Sequence, residues 1–359
     1  MVTIPGRIET ITKFHEQGGQ VAAVLPIHYP RALFRAFNIL PIEVWGPPGL
    51  GVGGGATHLQ PYICSVAQNA ITYLLNGGLK VTDVIIVPHA CDSLQGFGSL
   101  LLDFIPTSQP VIPIYLPRER REGDIDFLCK ELQIVYDRLG DITGLKPSSG
   151  EVLDCILREE SADALLSELH QKGPYLPLST LDLYRLIRSR EYLPAETFEE
   201  ITREILTNID ENHRDGIPIL LSGIVPEPMT LFDTIAELGG IVVGDDFACC
   251  GRRLYPSGQS DDPFRRMAER IIFAPPDPTR GNPLQSRLDH LIKLADKSGG
   301  KGIIFYEVKF CEPELFDLPI LHKALGEVGI PAVTIEVDLN DQLSQQIRTR
   351  IGAFLEMIQ

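Results

Sequence analysis

The segment DVIIVPHACDS (83–93) decides the fold, because it joins a continuous apolar run to a cysteine just beyond the end of that run. A short apolar run without polar alternation is typical of a strand buried on both faces of a parallel sheet. A second run of the same kind, PVIPIYLP (110–117), follows it. Parallel neighbours need a crossover connection, usually a helix, so the two runs predict a βαβ unit.

The remainder of the first half extends this alternation. Further strand and helix candidates precede the deciding segment: a strand at 21–27, a helix at about 30–38, a strand at 40–46, and an amphipathic helix at about 64–75. The Gly77–Gly78 pair predicts the end of the last of these helices, because glycine readily adopts the left-handed conformation of a C-cap. The Pro- and Gly-rich stretch GPPGLGVGGG (46–55) predicts a loop.

The second half repeats the pattern after a stretch of different character. Residues from about 118 to 210 are rich in charge and have helical spacing throughout. Four more strand candidates follow, at 218–225, 240–247, 302–308 and 331–339, before a last helix at 344–359. We therefore predict an α/β protein with a first α/β domain (1–120), a mainly helical region (121–212) and a second α/β domain (213–359).

Composition narrows the class of protein. The 359 residues are 44% hydrophobic and 22% charged, which is typical of a globular chain, and the net charge of −16 argues against nucleic acid as a partner. No apolar run is long enough to span a membrane, and the start, MVTIPGRIETITKF, has no secretory pattern, so we expect a cytoplasmic protein. In that reducing compartment the seven cysteines indicate metal or redox use better than disulfides.

Three cysteines follow strand-like segments and are the strongest candidates for chemistry. Cys64, Cys91 and Cys311 each lie where a strand leads into a loop or helix. Parallel strands point their carboxyl ends at one crevice, so the three thiols are expected to converge there. Three soft ligands suit an iron–sulfur cluster, or zinc, with one coordination position open. The alternative is that each thiol is a small buried apolar group, which is the usual fate of free cysteine.

The other four cysteines carry weaker signals. Cys249 and Cys250 are neighbours, and because a disulfide between neighbours is strained we interpret them as two thiols that either act as further ligands or lie spare. Cys129 and Cys155 lie within helical stripes, which predicts core packing.

Three further side chains are candidate acid–base groups. Glu43 ends a predicted strand, His89 precedes Cys91, and Lys309 precedes Cys311. Each has a structural alternative: a surface acid, a histidine that caps a strand and a solvated lysine, respectively.

Gly49, Gly51 and Gly54 spell GxGxxG, but no helix follows at once and no acid follows at the expected distance. We interpret this stretch as a flexible loop on the approach of a substrate. No GxxxxGK[ST] motif is present, so the chain has no P-loop of its own.

Taken together, several stretches resemble the 2-hydroxyacyl-CoA dehydratase and benzoyl-CoA reductase family. They are IEVWGPPG, VIIVPHACDSLQ, LLSGIV, VVGDDFACCGRR, VKFCEPELFDLPILHKAL, GIPAVTIEVD and QIRTRIGAFLEMI, in order from about residue 40 to the end of the chain. VPHACDS, KFCEP and RTRIGAFLE are the most specific, whereas the helical middle region matches weakly.

The resemblance implies two Rossmann- or flavodoxin-like domains around a [4Fe-4S] cluster held by Cys64, Cys91 and Cys311, with the fourth position open. It also implies a homologous second subunit, or a homodimer, and a separate ATP-dependent iron–sulfur activator that injects one electron. The substrate would be an acyl-CoA thioester, either a 2-hydroxyacyl-CoA that is dehydrated or an aromatic acyl-CoA that is reduced.

One departure from the family pattern keeps other hypotheses open. The segment GDDFACCGRR has two cysteines where such proteins normally have one, and relatives with a double-cubane cluster use additional cysteines. The alternatives are therefore a double-cubane reductase of small molecules, a non-catalytic partner subunit and a zinc hydrolase.

Overall fold

The computed structural model describes residues 3–50, 54–209 and 215–359. The first half contains α1 (Arg7–Glu16), β1 (Gln20–Val24), α2 (Arg31–Ala36), β2 (Ile39–Glu43), α3 (Ser65–Leu75), β3 (Val84–His89), α4 (Asp92–Asp103) and β4 (Val111–Tyr115). Its strands form one four-stranded parallel sheet with the order β2-β1-β3-β4.

Four helices follow, α5 (Glu122–Thr143), α6 (Ser149–Lys172), α7 (Thr180–Ser189) and α8 (Ala195–Leu206). The second half contains β5 (Ile217–Gly223), α9 (Thr230–Glu237), β6 (Gly240–Phe247), α10 (Pro263–Ile272), α11 (Leu284–Ser298), β7 (Gly302–Val308), α12 (Glu312–Leu315), α13 (Leu318–Glu327), β8 (Ala332–Val337) and α14 (Gln345–Ile358). Its four strands form a second parallel sheet with the order β6-β5-β7-β8.

The two sheets have the same strand order, so each has its topological switch point at the corresponding place. In the first sheet this point lies between β1 and β3, and in the second it lies between β5 and β7. Ligands of open α/β sheets bind in the crevice beyond the carboxyl ends of the strands at such points. The predicted class, α/β with two parallel-sheet domains, is confirmed, and each predicted strand is present.

Several details differ from the sequence prediction. Helix α1 was not predicted, and β1 and β2 end three residues earlier than their apolar runs, whereas α4 is the crossover helix of the predicted βαβ unit. The runs continue past the strands because the chain turns while still buried, at Ile27 and His28 with positive φ after β1 and at Gly46 after β2. Helix α3 ends as predicted, with Gly77 at φ +79° directly after its C-cap. Gly51 of the GxGxxG stretch and the predicted boundary at 212–213 lie outside the described residues.

The helical middle region packs against both sheets. One apolar core joins Leu186 and Phe198 of this region to Ile219 of the second sheet. Another joins Leu128 and Ile156 to the strands of the first sheet, and this core also includes α10 from the second half. Across the described ranges, none of the helices is both long and apolar enough to cross a bilayer.

A set of buried ion pairs connects α2, α6 and α10. Glu159 and Asp163 of α6 both accept hydrogen bonds from Arg190, which follows α7. Arg31 at the start of α2 lies 3.3 Å from Glu159. Arg270 of α10 donates to Asp163. Because burial makes an unpaired charge costly, these contacts hold the helices in one arrangement.

We expect these buried ion pairs to make the stability of the fold depend on pH in the acid range. Burial by itself would raise the pKa of Glu159, but the guanidinium groups of Arg190 and Arg31 lower it to about 2. The folded chain therefore has a lower pKa at this group than the ordinary value of 4.5. At pH values above 4.5 the ionised carboxylate of Glu159 contributes about 3 kcal/mol to the free energy of unfolding. This contribution is lost as the pH falls towards the pKa of the folded chain.

Denaturation in urea at a series of pH values, followed by circular dichroism, checks this prediction. Glu159→Gln is expected to be less stable at neutral pH and to lose less stability on acidification than the unsubstituted chain. Glu168→Gln is the matched control, because Glu168 lies on the same helix with its side chain 39% exposed and pairs only with Lys172. Equal acid sensitivity of Glu159→Gln and the unsubstituted chain would contradict the prediction.

Candidate functional site

The fold brings three distant cysteines together. Cys64, Cys91 and Cys311 are the N-cap residues of α3, α4 and α12, so each lies where a helix begins. All three line the same two adjoining cavities, which also share Ser93 and Thr279. The site therefore lies between the carboxyl ends of the two sheets, where the sequence predicted that the thiols would converge.

The two cavities differ in character. The inner cavity has a volume of about 50 Å³ and is lined mainly by apolar groups such as Ile27, Trp45 and Val308. The outer cavity, of about 190 Å³, is lined by charged groups as well, including Asp92, Arg118 and Glu312. The cysteines thus separate a dry interior from an approach that is open to charged molecules.

Cys64 and Cys311 are buried and Cys91 is partly exposed, and the beginning of α3 favours negative charge on Cys64. The backbone amides of Val66 and Ala67 favour a thiolate at Cys64, as expected at the beginning of a helix, although the amide of Ala67 donates its hydrogen bond to the carbonyl oxygen of Cys64. Burial nevertheless raises the pKa of Cys64, and it raises that of Cys91 to about 12. For Cys311, burial and the neighbouring Cys64 raise the pKa further above its ordinary range. Buried thiolates are stable when they coordinate a metal, because the metal supplies a compensating positive charge.

The three thiols are soft ligands, the kind that an iron–sulfur cluster or zinc takes. Zinc needs its ligands about 2.0–2.3 Å from a common centre. Within the described ranges, no group of three or more His, Cys, Asp or Glu side chains is placed to hold a single ion. An iron–sulfur cluster distributes its thiolates over separate iron atoms, so they stand farther apart around a cavity. Three thiols that line the adjoining cavities are ligands of the kind that such a cluster takes.

Backbone strain is concentrated at this site. Ile27, which lines the inner cavity, has φ +67°, and Phe310, directly before Cys311, has φ +62°. Positive φ is a genuine outlier for a β-branched residue. Such strain persists only where the surroundings enforce it, typically at functional sites. The neighbour of Ile27, His28, is also left-handed, and its Nε2 lies 3.0 Å from the buried carboxylate of Asp277.

A buried ionic network stands behind Cys311. Arg252 is fully buried and donates to both oxygens of Glu314, which lies on α12 directly after Cys311. The same guanidinium lies 3.0 Å from Asp246 and 3.4 Å from Asp277. Asp277 in turn accepts a hydrogen bond of 2.7 Å from the hydroxyl of Thr279, which lines both cavities. The network therefore ties the loop of one thiol to the walls of the site.

Glu43 lies near the site but not in the lining of either cavity. Its carboxylate accepts hydrogen bonds of 2.9 Å from both Tyr29 and Trp45, and it pairs with Arg253 at 2.6 Å. With these partners its oxygens are largely occupied, and its nearest link to the cavities is Trp45.

His89 and Lys309 also point elsewhere. His89 packs edge-on against Tyr115, has no hydrogen-bond partner on either ring nitrogen within the described structure, and has a pKa lowered by burial. Lys309 lines a separate groove of about 450 Å³ at the end of β8, together with Asp338. An acid–base role for Glu43, His89 or Lys309 stays a prediction.

The other cysteines stand apart from the two cavities. Cys249 and Cys250 are free thiols with their sulfurs 3.3 Å apart, both fully buried directly after β6. Cys155 is buried in α6 and Cys129 is half-buried in α5, and both pack into the core beside the first sheet.

Four lining residues were not singled out from the sequence. Ser93 lies two residues after Cys91, and Trp45 lies two residues after Glu43, so their closeness in sequence to a candidate residue was a signal that could have found them. Arg118 and Thr279 had no such signal, because long stretches of chain separate them from the cysteines they approach.

Comparison with known proteins gives one family. The family model described as "2-hydroxyglutaryl-CoA dehydratase, D-component" matches residues 26–358. The chain is 28% identical to the (R)-phenyllactyl-CoA dehydratase beta subunit of Clostridium sporogenes, over 97% of this chain and 94% of that protein. It is 25% identical to the beta subunit of lactoyl-CoA dehydratase of Anaerotignum propionicum (96% and 93% covered) and 22% identical to a benzoyl-CoA reductase subunit of Thauera aromatica (94% and 91% covered).

Proposed function

Because the chain belongs to the 2-hydroxyglutaryl-CoA dehydratase D-component family, we propose that it is the iron–sulfur subunit of an enzyme that dehydrates a 2-hydroxyacyl-CoA. In this proposal Cys64, Cys91 and Cys311 hold a [4Fe-4S] cluster. The observation that carries it is the convergence of these three thiols, each at the start of a helix, on one pair of cavities. Reduction of an aromatic acyl-CoA is the related alternative, since one relative is named as a benzoyl-CoA reductase subunit.

The residues of the chain have separable roles in this proposal. When bound, the cluster supplies one-electron transfer and one open coordination position. The three thiolates hold it, and the amides of Val66 and Ala67 stabilise the negative charge on Cys64. Ile27 and Trp45 keep water from the inner side, whereas the outer cavity is the route of approach.

Removal of a hydroxyl group also requires a proton to move, and the described lining offers two carboxylates for it. Asp92 and Glu312 line the outer cavity, whereas Glu43, His89 and Lys309 do not. A candidate base must first lie within hydrogen-bonding reach of the proton that it removes, and only then does its pKa matter. The lining therefore favours a carboxylate of the outer cavity, or a group from a partner protein, for this step.

The proposal includes partner proteins. The relatives bear the names of individual subunits, two of them beta subunits and one a reductase subunit, which supports a second subunit beside this chain. We propose a homologous second subunit, with a homodimer as the alternative. We also propose a separate ATP-dependent iron–sulfur activator as the electron donor and an acyl-CoA thioester as the substrate.

A double-cubane cluster is the second candidate for the cofactor. It needs thiols beyond the first three, and only Cys249 and Cys250 are close in the fold, in the same apolar core as Cys64 and Cys311. Neither of the pair lines the inner or the outer cavity as described. This observation favours the smaller cluster.

The test is the iron and sulfide content, with an electronic spectrum, of protein purified without oxygen. The proposal expects about four iron and four sulfide per chain. About eight iron would support the double-cubane hypothesis instead. Bound zinc without colour would support a hydrolase, and a chain without metal would overturn the proposal.

A further inference from the structure

Arg118 has an unusual position at the candidate site. It is the one positively charged side chain among the described residues that line the inner and outer cavities. Within the described ranges its guanidinium has neither an ion-pair nor a hydrogen-bond partner, although Asp92 and Glu312 line the same cavity. By contrast, Arg252 behind Cys311 is paired with three carboxylates. Arg118 is therefore a positively charged group at the site that no described carboxylate neutralises by direct contact.

The fold fixes the base of this side chain. The amide of Asn282 donates to the carbonyl oxygen of Arg118 at 2.9 Å, and its own oxygen accepts from the backbone of Asp277 at 3.0 Å. Gly281 has φ +74°, and a Cβ atom there would lie 3.1 Å from Cδ of Arg118. Glycine thus leaves room for the stem of Arg118 to pass over the loop. These contacts fix the backbone and the stem of Arg118, and its exposed side chain lines the outer cavity.

A cation in that place changes the energy of adding an electron. Three thiolates already bring negative charge to the site, and a reductant that donates one electron makes it more negative by one. No covalent bond forms or breaks in that step, and no proton moves. A nearby positive charge stabilises the reduced state more than the oxidised state, because the reduced state carries the additional negative charge.

We propose that Arg118 raises the reduction potential of the centre held by Cys64, Cys91 and Cys311. The inference rests on the proposed function, since it requires a redox centre at these thiols. Unit charges roughly 12 Å apart, at an effective dielectric constant of about 20, change an equilibrium constant about tenfold. Arg118 is exposed, so water and salt screen its charge, and tenfold is the upper end of the effect.

The experiment is a redox titration with dithionite of anaerobically prepared protein at low ionic strength, followed by the visible spectrum. Arg118→Gln is expected to shift the midpoint to lower potential, by up to about a tenfold decrease in the equilibrium constant for reduction. Arg118→Lys keeps the charge and is expected to stay close to the unsubstituted protein. Arg203→Gln is the control: it removes the same charge from a side chain that is 60% exposed and lies outside both cavities. The shift in Arg118→Gln is expected to shrink as salt is added.

Two outcomes would overturn the inference while leaving the proposed function intact. One is an unchanged midpoint in Arg118→Gln that retains its iron. The other is loss of iron in Arg118→Gln with retention in Arg118→Lys, which would assign Arg118 to holding the centre rather than to its potential. Absence of iron from the unsubstituted protein would instead remove the proposed function, and the inference with it.

Discussion

Replacement of any one of Cys64, Cys91 and Cys311 with serine is expected to remove most of the bound iron and sulfide while leaving the fold intact. The serine hydroxyl is a hard, weakly acidic group and does not replace a soft thiolate as a ligand of iron. The exchange of sulfur for oxygen in a small side chain changes little packing, so the far-ultraviolet circular dichroism of each variant should match that of the unsubstituted chain. Iron, sulfide and the visible spectrum are measured on protein prepared without oxygen.

Two sets of cysteines serve as controls for this prediction. Cys155→Ser alters a buried thiol in the other core and is expected to retain about four iron per chain. Cys249→Ser and Cys250→Ser are expected to behave in the same way, because neither residue lines the described cavities. If Cys249→Ser or Cys250→Ser lost iron while Cys64→Ser kept it, the assignment of ligands would be wrong.

The fold and the position of two of the three thiols were predictable because each depends on a local pattern. The prediction for Cys64 was wrong in one respect: among the described residues no strand lies between Glu43, at the end of β2, and Cys64, which follows a loop instead. Continuous apolar runs of strand length identified the strands, and helical spacing between them implied parallel pairing. A residue directly after a parallel strand must lie at the carboxyl edge of the sheet. Cys91 and Cys311 follow β3 and β7, the strands at the two switch points, so topology places each of them at the crevice of its own sheet, and the packing of the two halves brings them together.

The surroundings of the thiols were not predictable, because they depend on pairs of residues far apart in the chain. Glu43 ends a strand as expected, yet its partner Arg253 belongs to the other half of the chain. Arg118 reaches the outer cavity only because Gly281 makes room for it. Such pairings depend on how the two halves of the chain pack together. The spacing of residues within a short stretch of sequence therefore does not predict them.

The same limit applies to the direction of a side chain at the end of a strand. His89 and Lys309 each precede a candidate ligand by two residues, which brings them close in sequence to the site. The last residues of a strand alternate between the faces of the sheet, and neighbouring helices decide which one reaches the crevice. Here α4 receives His89, whereas Lys309 faces the groove beside β8.

Arg252→Met is expected to give the largest loss of stability among single substitutions in the network behind Cys311. The guanidinium is fully buried and contacts Asp246, Asp277 and Glu314, which belong to three separate segments of the chain. Removal of one partner from a buried ion pair costs about 3–5 kcal/mol, because the charges left behind have neither water nor a counterion. After the cation is removed, Glu314 and Asp246 still have Arg287 nearby, and Asp277 still has His28, so the expected loss in the free energy of unfolding lies within that range.

A matched control distinguishes the effect of burying an arginine from the effect of the number of its ion pairs. Arg265 also contacts three carboxylates, those of Glu122, Asp126 and Glu269, but its side chain is 33% exposed. Water replaces its lost contacts, so Arg265→Met is expected to change urea denaturation little. Because Glu314 adjoins Cys311, Arg252→Met should also release iron sooner than Arg265→Met when a chelator is present. Equal stability of the two variants would mean that the network behind the thiols does not depend on Arg252. Equal iron release would mean that the network does not help to hold Cys311 in place as a ligand.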